Sequence, residues 1–407
     1  MKALYITNLG LTENLAKTQI LAYICGLSGK GIDTTIMSYE KAQPLKNNAE
    51  ISAMSKKLAD SGIHWVHYPY HSRWGNIFDL ISGYFRAASI IRERKIDVIH
   101  ARASIPVLIA WPLAKIFRKK IIYDRRGTMS GDFVDDVNVK NVFSIRFFTK
   151  MLDAVDNFLM AHSDAVIVLS DRIRKIIVDR KGSIGRKAVI ESIPCCTDLS
   201  LYHNAVNDAS SEPGSSPDRF SLCYLGSLGT CYLLDDMIDF FLALRARVKH
   251  SFFYILSHTD VKFISDKFSG KNLKKGIDYE IISLKPDDVP AYLKKCTASL
   301  MFIKPVECKI GSSPTKFGES LGAGVPVIVN NGIGDTEYII DARKVGVVVN
   351  GLTERDYANA IDSLLDLLKD GEVLKGRCRQ AAKDFFSLED GINKYLKVYD
   401  FLSKGNT

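Results

Sequence analysis

The chain contains no long apolar run. No stretch approaches the roughly 20 consecutive apolar residues of a membrane-spanning helix. Its eight cysteines, Cys25, Cys195, Cys196, Cys223, Cys231, Cys296, Cys308 and Cys378, include no C-x-x-C pair. They lack the clustering a zinc site requires and read as buried free thiols of a reducing compartment. Zinc-finger, helix-turn-helix and RNP patterns are absent, so nucleic acid is not an expected partner. The G-x-G-x-x-G dinucleotide fingerprint is missing. No short internal repeat is visible. The opening MKALYITNLGL is too short and too strand-like for a signal peptide,. A cytoplasmic protein is expected.

What is present is regular. Hydrophobic residues make up 46% of 407 residues, enough for ordinary cores in more than one domain,. The net charge of +9 suits an anionic partner, a nucleotide or an acidic lipid,. Short apolar runs alternate with amphipathic stretches. The pattern predicts strands near 3–7, 33–38, 64–68, 98–100, 121–123, 165–169 and 189–193, with helices over 14–27, 78–94, 107–117, 142–161 and 171–178. Residues 204–219, NAVNDASSEPGSSPDR, are poor in apolar residues and read as a linker,. Beyond it, strands are predicted near 221–225, 252–256, 279–282, 298–303, 325–329 and 346–349, and two helices in the tail from about 372 to 403. This is α/β patterning: two doubly wound Rossmann-like domains, each with a parallel sheet covered on both faces. Ligands in such sheets bind beyond the carboxyl ends of the strands, so two such domains in tandem suggest a cleft between them.

Two stretches carry chemistry. In C-Y-L-G-S-L-G-T, residues 223–230, a strand runs into Gly226, Ser227, Leu228 and Gly229. Glycines there let backbone N–H groups approach a phosphate, although a ligand-free tight turn has the same spelling. In S-S-P-T-K-F-G-E-S-L-G-A-G-V-P-V-I, residues 312–328, Ser313 is the expected N-cap and Gly324 the expected stop of a helix,. Lys316 then lies in the first turn, where the helix dipole disfavours a cation unless an anion sits against it. Gly318 lies mid-helix, at a cost of about 1 kcal/mol relative to alanine, and reads as a place of close approach by a ligand or backbone. Glu319 shares the Lys316 face, where its carboxylate can accept two hydrogen bonds from a vicinal diol such as ribose. A plain surface ion pair at this spacing contributes only about 0.2–0.5 kcal/mol, too little to offset the glycine.

The run S-P-T-K-F-G-E-S-L-G-A-G-V-P-V-I resembles the donor-binding motif of family-four retaining glycosyltransferases, which have the two-domain GT-B architecture. Y-L-G-S-L-G-T-C-Y at 224–232 is similar to the strand and glycine turn that open their C-terminal domain. Further likenesses are Ile193-Pro194 with Asp198, the strand 164–170, the strand 97–102, and Asp124-Arg125-Arg126-Gly127. The resemblance spans nearly the whole chain. It implies an acceptor-binding domain over 1–203, a nucleotide-sugar-binding domain over 220–385, and a helix over 386–407 returning to the first domain. It implies a UDP- or GDP-linked sugar donor, no metal and no cofactor. The donor would lie against Gly226, Ser227, Gly229, Ser313, Thr315, Lys316 and Glu319. Lys316 or Lys304 would neutralise the diphosphate, and Glu319 would hold the ribose. On the acceptor side the candidates are Gly10, Thr12, Asp124 and Arg126, with Arg126 or His100 near the chemistry. Many relatives carry a second glutamate eight residues before the ribose-binding one, a position occupied here by Gly311. The expected activity is retaining transfer of a sugar to a glycan or a polyprenol- or lipid-linked acceptor, as in surface polysaccharide or glycolipid synthesis. A GT-B-type nucleotide-sugar epimerase and a catalytically silent nucleotide-binding scaffold are the alternatives. Residues 112–126, PLAKIFRKKIIYDRR, hold six basic residues and one acid, and with the basic stretch 85–95 suit peripheral contact with anionic lipid,.

Overall fold

The computed structural model describes residues 1–41, 48–71, 75–131, 142–179, 188–204, 219–229 and 231–404. The chain divides into two compact units, Met1–Pro194 with Leu388–Thr407, and Cys195–Ser387. The division falls at Pro194, earlier than the expected boundary after residue 203, because the strand-like segment after Cys195 is stitched into the second unit. There Thr197 N–H donates to the Phe386 carbonyl at 2.7 Å and Thr197 bridges Ser387. Most of the expected linker lies outside the described residues.

The first unit is built on β1 (Lys2–Thr7), β2 (Asp33–Glu40), β3 (His64–Pro69), β4 (Val98–Arg102), β5 (Lys120–Asp124), β6 (Ala165–Val168) and β7 (Val189–Ser192). They form one sheet in the order β3-β2-β1-β4-β5-β6-β7, with every pairing parallel. All of β4 and β6 and all but the first residue of β1 and β5 are buried, which is why they read as nearly unbroken apolar runs,. Helices Gly75–Arg94, Ser104–Ile116 and Val142–Ala161 close one face over Leu4, Ile6, Ile99, Tyr123 and Val166. Helix Asn48–Asp60, which lies between β2 and β3, was not expected from the sequence; its mean hydropathy is close to zero.

The second unit contains β8 (Phe220–Leu225), β9 (Ser251–Leu256), β10 (Tyr279–Ile282), β11 (Ala298–Met301), β12 (Val327–Asn330) and β13 (Gly346–Val349). These form a parallel sheet in the order β10-β9-β8-β11-β12-β13. One face packs an aromatic core of Tyr224, Phe240, Phe241, Phe253, Phe268 and Phe302. The other packs Phe317, Leu321, Ile340, Cys378 and Phe386. Full burial of each such phenylalanine stabilises the unit by about 1.5–3 kcal/mol.

In each unit the strand order reverses at one place, between β1 and β4 in the first and between β8 and β11 in the second. Crevices for ligands form at these reversal points, beyond the carboxyl ends of the strands. No helix among the described residues is long and apolar enough to cross a membrane. All eight cysteines are free thiols.

Candidate functional site

In the second unit, β8 ends in a turn at Gly226, whose φ of +108° is a conformation glycine adopts readily,. A β-carbon at this position would lie 3.0 Å from the Lys316 Nζ. Lys316 reaches the turn from helix Thr315–Gly322. The helix begins one residue later than expected. Pro314 is its N-cap, with φ −66° and ψ 122°, and its side chain offers no capping oxygen. The Ser313 hydroxyl instead accepts a 3.1 Å hydrogen bond from Cys195 N–H. The helix stop is as expected: Gly324 has φ +80°, Gly324 N–H donates to Leu321 O, and Val325 N–H donates to Ser320 O, a Schellman ending,.

Lys316 is 5% exposed. Its Nζ donates to the Tyr224 hydroxyl at 2.9 Å and lies 3.6 Å from the centroid of the Tyr232 ring and 4.4 Å from that of Tyr224. Burial lowers its pKa to about 7, against the opposing pull of Glu319 and Cys231. Glu319, one helical turn on, is pushed up to about 7 by burial, and the nearby Lys316 only partly offsets this. Both groups move toward neutrality because burial outweighs their mutual attraction. The two form no direct ion pair, and no described group donates a hydrogen bond to the Glu319 carboxylate. An amine and a carboxylate that make no ion pair with each other therefore stand on one helix face, beside a glycine turn at the strand-order reversal.

The remaining donor-side candidates surround this pair. Thr315 is the first helical residue. Ser227 is exposed, and its carbonyl accepts from the Tyr224 hydroxyl at 2.8 Å. Gly229 is exposed too, with nothing within 4 Å of where a β-carbon would stand, so local packing does not demand glycine there. Lys304 follows β11 on the other side of the reversal. Its N–H donates to Cys231 O at 2.9 Å, and its exposed ammonium has no partner among the described residues. Gly318, expected to admit a ligand or backbone, faces the protein itself. A β-carbon there would lie 3.0 Å from Phe386 Cβ and Cγ and 3.2 Å from Thr197 Oγ1, so this glycine admits a protein neighbour rather than a ligand.

In the first unit, Asp124 ends β5 completely buried. Arg126 grips it with Nε 2.8 Å from Oδ1 and a second nitrogen 2.9 Å from Oδ2. Arg102 approaches to 3.4 Å, and the Tyr395 hydroxyl donates at 3.0 Å. Burial works to raise the Asp124 pKa, but Arg126, His100 and Arg102 together hold the carboxyl well below the usual range. Arg126 also donates to Tyr395 Oη. His100 is 1% exposed, with Nδ1 2.8 Å from the Tyr399 hydroxyl and Nε2 3.5 Å from Asp124. Burial lowers its pKa despite Asp124, and the ring is neutral. His100 and Asp124 thus have no surface for a substrate, contrary to the expectation for either. They brace Arg126, which alone of the three is partly open.

Gly10 and Thr12, expected to border an acceptor, serve a buried acid that the sequence did not single out. The Glu40 carboxylate accepts from Leu11 N–H at 2.7 Å, the Thr12 hydroxyl at 2.9 Å and the Ser38 hydroxyl at 2.8 Å. A β-carbon on Gly10 would come within 2.7 Å of it. Between Arg102 and the following helix, Ala103 holds φ +75° and ψ −179°, a region populated almost only by glycine,. This strained residue sits at the strand-order reversal of the first unit. Among the described residues, no group of three or more His, Cys, Asp or Glu is arranged to hold a metal ion.

Residues 16–201 match the model of the family described as Glycosyltransferase Family 4. The whole chain superposes on sucrose-phosphate synthase from Thermosynechococcus elongatus with a TM-score of 0.75 and 14% identity, covering 99% of each chain. The chain has the two-domain GT-B fold, and its residues 16–201 are similar to that family. Anabaena HepE in complex with UDP and glucose is similar at a TM-score of 0.67 and 13% identity, over 98% of this chain and 99% of that one. A glycosyltransferase from Rickettsia africae is similar at 0.66 and 15%, over 99% and 98%. No curated protein sequence matches.

The structure brings Gly226, Thr315, Lys316 and Glu319 to one place in the second unit, with Ser227 and Lys304 at its edge. Sequence reasoning passed over Tyr224 and Tyr232, which hold Lys316. The available signal was a tyrosine on each side of the glycine turn. It also passed over Glu40, Ala103, Tyr395 and Tyr399. The two C-terminal tyrosines lie four residues apart on one helix face, a pattern that ordinary core packing produces equally well.

Proposed function

We propose that this protein transfers a glycosyl group, with retention of anomeric configuration and without a metal, from a UDP- or GDP-linked sugar to a hydroxyl of a glycan or of a polyprenol- or lipid-linked acceptor in surface polysaccharide or glycolipid synthesis. The observation that carries the reading is the Lys316 amine at the Gly226 turn, bonded to a neutral tyrosine and to no anion, with the unbonded Glu319 carboxylate one turn further along. A diphosphate against Lys316 and the helix start has its charge met as the leaving group departs, the kind of stabilisation that lowers a group-transfer barrier. Glu319 as a carboxylate accepts from both hydroxyls of a ribose. In the transfer, the bond from the anomeric carbon to the diphosphate oxygen breaks. A bond to the acceptor oxygen forms, and the acceptor proton leaves with the nucleotide or to solvent. UDP in the similar HepE structure supports a uridine nucleotide as the first donor to try.

The acceptor belongs with the first unit, where Arg126 is braced and Ala103 is strained. Exposed Ile81, Phe85 and Ile116 stand among exposed Arg92, Lys95, Lys115 and Arg118, on helices Gly75–Arg94 and Ser104–Ile116 and the turn ends that follow them. This mixture of apolar and basic groups supports peripheral attachment to anionic lipid and hence a lipid-linked acceptor. The deciding experiment incubates the protein with UDP- and GDP-sugars and acceptor lipids, follows nucleotide release, and assigns the product anomer by NMR. Glu319→Ala is the control. Release that Glu319→Ala abolishes, unaffected by EDTA and giving a retained anomer, is the expected result. Tight nucleotide binding without turnover on any acceptor would instead establish a silent scaffold, and interconversion of the donor sugar an epimerase.

A further inference from the structure

Neither a surface lysine nor a buried ion pair accounts for the setting of Lys316. Its amine is enclosed by two tyrosines, each fixed by its own backbone. Tyr224 lies in β8, and its hydroxyl both accepts from Nζ and donates to Ser227 O. Tyr232 forms an antiparallel bridge with Ile303, and its N–H donates to Gly229 O at 3.3 Å. The rings meet edge to face with centroids 5.8 Å apart. Burial raises both phenol pKa values, so both rings are neutral. They attract an ammonium through their π faces and one hydroxyl oxygen but supply no negative charge. The other ionisable groups facing this pocket are Glu319 on the lysine's own helix, Cys231 on the turn, and Cys195 beside Tyr232.

We propose that Tyr224 and Tyr232 are positioning residues that hold the Lys316 amine at the Gly226 turn without a negative partner, so that binding a nucleoside-diphosphate sugar draws a proton from solvent onto Nζ. This rests on the nucleotide-sugar reading above. Burial poises Lys316 for it, since with a pKa of about 7 only about a tenth of the side chain is ammonium at pH 8,. A diphosphate restores the missing counter-charge and with it the protonated form. The proton comes from water, and no other bond changes. Glycine at 226 leaves room for the amine, since a β-carbon there would lie 3.0 Å from Nζ, and the two rings hold that amine, which makes no ion pair with Glu319.

The test is calorimetric titration of the full chain with UDP-glucose and with GDP-mannose at pH 8, in phosphate and in Tris, whose ionisation enthalpies differ. The expected result is uptake of on the order of one proton per bound nucleotide sugar, with affinity falling up to about tenfold per pH unit above 7. Glu319, near 7, is already mostly a carboxylate at pH 8 and contributes little to the uptake. Lys316→Met abolishes the uptake. Tyr232→Phe, which keeps the ring, preserves it. Tyr232→Leu at least halves it and flattens the pH slope, while the circular dichroism melt shows the unit still folded. Binding without proton uptake, or an unchanged pH slope in folded Tyr232→Leu, overturns this inference and leaves the nucleotide reading standing. If neither nucleotide sugar binds the wild type, both fall.

Discussion

Replacing Gly318 with alanine separates two explanations of a mid-helix glycine. Intrinsic propensity favours alanine by about 1 kcal/mol. Against this, the new β-carbon would lie 3.0 Å from Phe386 Cβ and Cγ and 3.2 Å from Thr197 Oγ1. Phe386 has little room to yield: it is 4% exposed, its ring meets Phe317 with centroids 5.6 Å apart, and its carbonyl is held by Thr197 N–H at 2.7 Å. Overpacking a site of this kind costs about 1–3 kcal/mol. The net expectation is a loss of about 1 kcal/mol, or about 2–4 °C in Tm for a unit of this size. Nucleotide affinity should be unchanged, because the crowded atoms belong to the protein. The assay must read the second unit. Trp65, Trp74 and Trp111 all precede Cys195, so tryptophan fluorescence reports the first unit and far-UV circular dichroism in urea is needed for the second. A Gly318→Ala protein more stable than wild type by about 1 kcal/mol would show that the steric argument fails. Lost nucleotide affinity at unchanged stability would return Gly318 to the ligand.

Three further substitutions probe the two units. Glu319→Gln should weaken nucleotide binding by about 1.5–3 kcal/mol, roughly ten- to a hundredfold, by removing a charged acceptor. Wild-type affinity should also fall below about pH 7, as the Glu319 carboxylate protonates, and Glu319→Gln should lack that acid limb in calorimetry. Asp124→Asn leaves Arg102 and Arg126 without their shared carboxylate and should cost about 3–5 kcal/mol in tryptophan-detected urea unfolding. Because the folded-state pKa of Asp124 is depressed, its contribution is complete above about pH 4 and fades only at lower pH, so the deficit should be undiminished at pH 5,. Ala103→Gly relieves backbone strain and should stabilise the first unit by on the order of 1 kcal/mol while lowering transfer rate rather than nucleotide affinity, measured by unfolding and by turnover,.

Much of the fold was legible because fully covered parallel strands spell themselves as apolar runs. Tyr279–Ile282 and Gly346–Val349 match their predicted spans residue for residue, and the other strands shift only at their ends. Helix Asn48–Asp60 escaped notice although Ile51, Met54 and Leu58 stand at i, i+3 and i+7, because its remaining residues are small or polar,. The helix carrying Lys316 was legible from its punctuation, Pro314 at the start and Gly324 at the stop. The one-residue error at its start arose because Ser313 has a competing use for its hydroxyl, the Cys195 N–H, which lies 118 positions away in sequence.

Sequence alone therefore determined the two sheets, the glycine turn and the coupling of Lys316 with Glu319, because strand burial, helix punctuation and i,i+3 spacing are local. Only the tertiary structure decided what each of those residues faces. It placed Phe386 over Gly318, closed the Tyr224 and Tyr232 rings around an amine, and buried His100 and Asp124 beneath Tyr395 and Tyr399. These contacts join positions tens to hundreds of residues apart, and burial sets the charge of each group they touch.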